Sequence, residues 1–201
     1  MRSIFIDVML FPLLAWADSG KDFDPTELNF WAGSTGYNNG DYATALEYWT
    51  PLAEQGHAKA QHNLSVMYRT GQGVQQDYAV AAKWSRKAAE QGDAKAQLNL
   101  GLMHTLGDGL PRNHAEAVKW FLKAAQQGDV ESQSVLAFMY ENGRGVPQDY
   151  VRAYAWYSVA DKGGDKDALA KREIVSKRII IRQVQDAQEL ARELWQKYGN
   201  K

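Results

Sequence analysis

Residues 92–127 read GDAKAQLNLGLMHTLGDGLPRNHAEAVKWFLKAAQQ, and the segments on both sides repeat this stretch at a constant offset of 36 residues. Gly56, Gly92, Gly128 and Gly164 fall in register, as do Leu64, Leu100 and Leu136, then Met67, Met103 and Met139. Gly71, Gly107 and Gly143 follow, with Gly73, Gly109 and Gly145 two residues on. Val74, Leu110 and Val146, Asp77, Asn113 and Asp149, Ala81, Ala117 and Ala153, and Trp84, Trp120 and Trp156 extend the match without an insertion. A fixed period of this length marks an array in which each unit buries its apolar face only against its neighbours.

Each unit reads as two helices. Ala96, Leu100, Met103 and His104 recur on one helical face. Gly107 stops that helix, because glycine accepts the left-handed conformation of a helix end. The second helix opens at Asn113, whose side chain can accept from an orphan backbone N–H, with Glu116 placed to complete a capping box. Its buried face is Ala117, Trp120, Phe121 and Ala124, and Gly128 ends it. The turn Gly107-Asp-Gly-Leu-Pro-Arg-Asn113 carries two glycines for backbone angles that other residues avoid, and Leu110 as a plug beneath the pair.

Working outward, Asp41, Tyr42, Ala45 and Tyr48 precede Asp77, Tyr78, Ala81 and Trp84 by one period, so residues 28–56 form a degenerate first unit with a tight Asn39-Gly40-Asp41 turn. Complete units follow at 57–92, 93–128 and 129–164. Residues 165–201 leave the period. Asp165 to Lys177 resembles another first helix, and Arg182 to Tyr198 is an amphipathic segment that caps the open end of the stack. Between them, Arg178-Ile-Ile-Ile-Arg182 is either helix or a kinked junction.

At the other end, Met1 to Ala17 carries Arg2, the apolar run Val8 to Leu14 and a small-x-small Ala15-Trp16-Ala17. These features predict a secretory signal cut after Ala17 and a periplasmic or secreted chain, although Asp7 interrupts the apolar stretch; the alternative is a buried N-terminal helix. The run is too short to span a bilayer, so no membrane insertion is expected after cleavage. Residues 18–27 read as a flexible lead-in.

The 201 residues carry a net charge of −1, which offers no attraction to nucleic acid. The absence of cysteine excludes disulfides, thiol catalysis and cysteine-ligated zinc.

The first half-unit Ala60, Leu64, Tyr68, Gly71, Gly73, Val74 and the second half-unit Asp77, Tyr78, Ala81, Trp84, Ala88, Ala89, Gly92, repeated at later periods, resemble the Sel-one-like repeat (SLR) family, a branch of the tetratricopeptide-type α/α repeats. The resemblance covers about Asp41 to Gly164. It implies an all-α, right-handed α/α solenoid with a scaffold or adaptor role, a protein or peptide partner, no cofactor and no reaction. Some secreted relatives, stapled by paired cysteines, have been discussed as β-lactam-binding proteins. This chain lacks both the cysteines and any Ser-x-x-Lys. A cell-wall or β-lactam hydrolase is therefore the alternative function, beside a permanent structural subunit of an envelope complex.

Three of four histidines stand at structural positions of the repeat: His57 at a helix start, His104 where Tyr68 and Tyr140 recur, His114 where Tyr78 and Tyr150 recur. His62 has no such assignment. There is no His-Glu-x-x-His, nucleophile elbow or phosphate loop, and the tryptophan series, flanked by alanines at helical register, reads as core rather than as a stacking platform. No catalytic, cofactor or metal residues are assigned.

One feature departs from an ordinary soluble helix. On the face of each first helix opposite Ala60, Leu64 and Met67, a polar surface is expected, yet Val66, Leu98, Leu102, Leu106 and Phe138 form an apolar stripe across three units. Two readings fit. In one the stripe is the floor of a concave groove, with Lys59, His62 and Arg69 at one end and Glu131 and Glu141 at the other, holding a peptide and orienting it by charge. In the other the residues are covered within the molecule, by each other or by the C-terminal helices. The chain itself is expected to be a monomer or weak oligomer.

Overall fold

The computed structural model describes residues 24–199, so the signal-like segment and most of the lead-in lie outside the described residues. The described chain is all helix: α1 Pro25–Asn38, α2 Tyr42–Glu54, α3 Ala58–Thr70, α4 Tyr78–Glu90, α5 Ala94–Leu106, α6 His114–Ala125, α7 Val130–Asn142, α8 Tyr150–Lys162, α9 Ala168–Ser176 and α10 Ile181–Tyr198. Each odd-numbered helix from α1 to α7 pairs with the next even one, and each even one packs on the following odd one, so the pairs stack in chain order. α1 begins at Pro25, earlier than the lead-in expectation, because Asp24 caps it by accepting from the Thr26 N–H and proline suits the first helical turn.

The polar caps repeat with the period. Asp41, Asp77, Asn113 and Asp149 accept backbone N–H groups at the starts of α2, α4, α6 and α8, while Gly71, Gly107 and Gly143 end α3, α5 and α7 at φ of 74°, 88° and 64°. The expected capping box at Asn113 is only half formed. Its side chain accepts from the Glu116 N–H, but its own N–H donates to the His104 carbonyl at 2.8 Å, so the Glu116 carboxylate turns to Lys119 instead.

The second glycine of each loop does more than turn the chain. Gly73, Gly109 and Gly145 have φ near +70° and press against the start of the second helix one unit back. A Cβ on Gly109 would lie 2.0 Å from the Tyr78 carbonyl oxygen, one on Gly145 2.3 Å from that of His114, and one on Gly73 2.4 Å from the Tyr42 Cβ.

A buried glutamine series ties the pairs together. Gln61, Gln97 and Gln133 donate to the Ala53, Ala89 and Ala125 carbonyls at the end of the preceding second helix, at 2.9, 3.1 and 3.2 Å. Gln91 and Gln127 then donate to Gln61 and Gln97. One period further the donor position is Gly163, which leaves the Gln133 Oε1 without a partner.

Within pairs, a small residue on the first helix faces a variable one on the second: Gly33 meets the Trp49 ring and Gly101 the Phe121 ring, and by register Ser65 and Ala137 stand opposite Ser85 and Tyr157. Trp49, Ser85, Phe121 and Tyr157 are all buried.

At the C-terminal end, α9 and α10 pack on α8 rather than on each other. The isoleucine run is a junction, with Ile180 extended and its N–H held by the Gln183 side chain at 3.0 Å. Ala187 and Ala191 are buried, and Leu194, Trp195 and Tyr198 join the largest apolar cluster. Tyr198 also stacks on Trp156 with ring centroids 6.3 Å apart. The amphipathic segment thus covers the last second helix and leaves the outer face of α9 open.

Candidate binding surface

Two clefts open along the first helices. The larger, of about 770 Å³, lies between α7 and α9 and is lined by Lys95, Asp129, Glu131, Ser134, Val135, Phe138, Asp165, Asp167 and Lys171, among others. A smaller one of about 400 Å³, between α1 and α3, is lined by Ser34, Tyr37, Asn38, Trp49, His62, Asn63 and Val66. Among the sequence-predicted residues, the structure brings His62 and Val66 together in the small cleft, and Glu131 and Phe138 in the large one. Lys59 is exposed beyond both, and Arg69 is half-buried at the far end of α3.

The apolar stripe is open in places and closed in others. Phe138 is 40% exposed, with the Arg144 guanidinium 5.2 Å from its ring centroid, and Leu106 is 66% exposed. Leu98, expected on the floor, is only 4% exposed and belongs to the core. The reason lies in its register. Positions 62, 98 and 134 sit where one first helix meets the start of the next: Ser134 donates to the Asp165 carboxylate, His62 lies in the field of Asp93, and Leu98 joins the cluster edged by Val130 and Val135. Leu102 is half-buried against that same cluster, so it is part floor and part core.

The charge reading changes as well. Glu141 is not a free rim charge, because it accepts from the Tyr157 hydroxyl at 3.0 Å and lies 3.7 Å from Arg178. Burial, and then the Glu141 charge, push the Tyr157 phenol up. The acidic edge is instead made by Glu131, Asp165 and Asp167. Lys95, which continues the Lys59 register, is neutralised by Asp129 at 2.6 Å, and that bond holds its ammonium above the usual lysine value. Burial raises the Asp165 carboxyl, but the Ser134 hydroxyl and the Asp167 N–H outweigh it and hold it below the usual range. Burial also lowers the His62 imidazole, with Asp93 opposing. Its Nδ1 has no hydrogen-bond partner.

Sequence reasoning missed Ile174, which is one period after Phe138 and 51% exposed. The stripe therefore runs Val66, Leu102, Phe138, Ile174 through four first helices, and the same offset of 36 that ordered the units would have found it. Among the described residues, no His, Asp and Glu side chains are grouped to hold a metal ion, and no helix is long and apolar enough to cross a membrane.

The comparisons with known proteins agree with this architecture. The Sel1 repeat model matches residues 31–57, 58–93, 94–129 and 130–164. A crystal structure of a Sel1 repeat protein from Oxalobacter formigenes superposes with a TM-score of 0.74 at 28% identity, covering 96% of this chain and 82% of that one. A protective antigen present in uropathogenic Escherichia coli strains, displaying an SLR fold, superposes with a TM-score of 0.62 at 27% identity over 91% of this chain, which spans 47% of the antigen's length. No curated protein matches. Sel1 repeat proteins are generally protein-interaction modules on a typically non-enzymatic scaffold. With four matched repeats and the same stacked helix pairs in space, the chain belongs to the Sel1 repeat family.

Proposed function

We propose that this chain is a non-catalytic adaptor that holds a protein or peptide partner along its first helices. The observation that carries the reading is the Val66, Leu102, Phe138, Ile174 stripe: it stays accessible at its C-terminal half because α10 packs on α8, a second helix. A phenylalanine ring beside an open cleft, with an arginine over one face, has the composition of an interface anchor, since aromatic and arginine side chains dominate binding hot spots.

Phe138→Asp tests this. Its side chain reaches solvent, so the helix and its melt should change little, whereas loss of a central anchor costs about 2 kcal/mol or more, roughly thirtyfold in affinity. Affinity capture from extracts of the native cell, compared with a Lys83→Glu control on α4, should lose its partner with Phe138→Asp alone. Undiminished capture by a folded Phe138→Asp variant would remove the groove from the function.

A further inference from the structure

The stack ends in an apolar and charged surface of which the groove uses only Ile174 and the cleft edge at Asp167 and Lys171. Leu169 and Ile174 on α9 and Ile180 and Ile181 at the junction are exposed, the last two to 67% and 82%. Large aliphatic side chains exposed within one short stretch of chain mark a contact. They are left open because α9 packs chiefly on α8, with Ala168 and Val175 turned inward. The opposite side of α9 carries Asp167, Ala170, Glu173, Ile174 and Lys177, with Lys171 at its edge, all exposed. Arg172, turned toward α8, is paired with Asp161 at 3.0 Å, but Asp167, Lys171, Glu173 and Lys177 make no ion pair among the described residues.

We propose that the partner of this face is a second copy of the chain, bound through α9 about a two-fold axis that crosses the helix at the level of Arg172. The order of charges argues for it. With two α9 helices antiparallel about that point, Asp167 comes level with the partner's Lys177, and Ala170 with the partner's Ile174. Each match occurs twice by symmetry, as a self-complementary contact requires. Ile180 and Ile181 follow directly from the C-terminal end of α9. In this arrangement they approach the other copy's Asp165 and Asp167, at the mouth of the large cleft, with Lys177 and Arg182 flanking them.

A membrane surface is the rival occupant, since isoleucines among Lys177, Arg178 and Arg182 resemble an interfacial anchor. The acidic residues decide against it: Asp165, Asp167 and Glu173 lie on or beside the same face, and an anionic surface would repel them. The contact shares Ile174 with the stripe, and self-association is read separately from partner capture, so either can fail without the other.

Sedimentation velocity over a concentration series tests the proposal on the full chain. A dimer forming at about 1–100 μM is expected, the class of small, reversible interfaces. Ile181→Asp should leave a monomer with an unchanged circular dichroism melt. Asp167→Lys and Lys177→Asp should each weaken the dimer about tenfold or more, since symmetry counts each reversed pair twice. The double variant Asp167→Lys/Lys177→Asp should return to within about threefold of wild type, because it restores both pairs. A wild type that stays monomeric at 100 μM, or a double variant as weak as the singles, overturns the proposal. Flotation with phosphatidylcholine and phosphatidylglycerol vesicles adds a further arm: a monomeric wild type that binds them through Ile181 would give this face to a membrane and also overturn it.

Discussion

Gly101→Ala is a substitution whose sign depends on one neighbouring ring. On an open helix face the added methyl would stabilise by about 1 kcal/mol, because glycine is the poorer helix former. In this structure the new Cβ would sit 2.5, 2.7 and 2.9 Å from three carbons of the Phe121 ring, which is fully buried and has nowhere to retreat. Overpacking of this kind costs about 1–3 kcal/mol, so the net effect in the native background is a loss of up to about 2 kcal/mol. Phe121→Ala alone should cost about 3–5 kcal/mol as a buried ring removed. In that background the clash is gone, and Gly101→Ala should stabilise by the full ~1 kcal/mol of helix propensity. Equilibrium urea unfolding of the four variants yields a coupling of about 1–3 kcal/mol with a reversal of sign, the difference between overpacked and open settings. If Gly101→Ala stabilises the native protein by as much as it stabilises the Phe121→Ala variant, the glycine is not there to admit the ring, and the small-to-large matching within pairs is wrong.

Two further outcomes follow from burial. Trp120, 6% exposed within the cluster of Ala88, Ala96 and Leu100, should cost about 3–5 kcal/mol when changed to alanine, and a loss below about 1 kcal/mol would reopen the tryptophans as a surface platform. His62 binds its proton less readily folded than unfolded, where the ordinary value is 6.5. The unfolded chain therefore holds more protons on the acid side, and stability should fall as pH is lowered through about 6.5. His62→Gln should flatten that part of the profile, whereas an unchanged acid slope would mean that some other group carries it.

The period, both helices of each unit, their glycine ends and their caps were legible in the sequence because they depend on local chemistry repeated at one offset. Leu98 was not. A helical wheel assigns one inward face, whereas a first helix in a stack is also flanked by its successor, and that lateral contact buries Leu98 while placing Ser134 against Asp165. Glu141 looked like a free rim charge because its partners, Tyr157 and Arg178, come from later elements. The glutamine series at 61, 97 and 133 was visible in the repeat, yet its function lay in carbonyls that only the stacked geometry brings within reach. Ile174 was within reach of the period and escaped because the unit's other signposts fade after Gly164.

The close approach of Gly73, Gly109 and Gly145 to the helix start one unit behind has a consequence for how such a chain can evolve. Two of these three joints are backbone against backbone, at Tyr78 and His114, so the pitch of the array is written largely in main-chain geometry. Side chains then drift widely, as His104 for a tyrosine or Phe121 for a serine shows. Whole units can likewise be copied or excised in steps of 36 residues. If residues 93–128 were lost, Gly145 would meet Tyr78 where it now meets His114, and the array would be shorter by one unit with its curvature unaltered. Length, and with it the reach of the surface, is thereby heritable separately from shape.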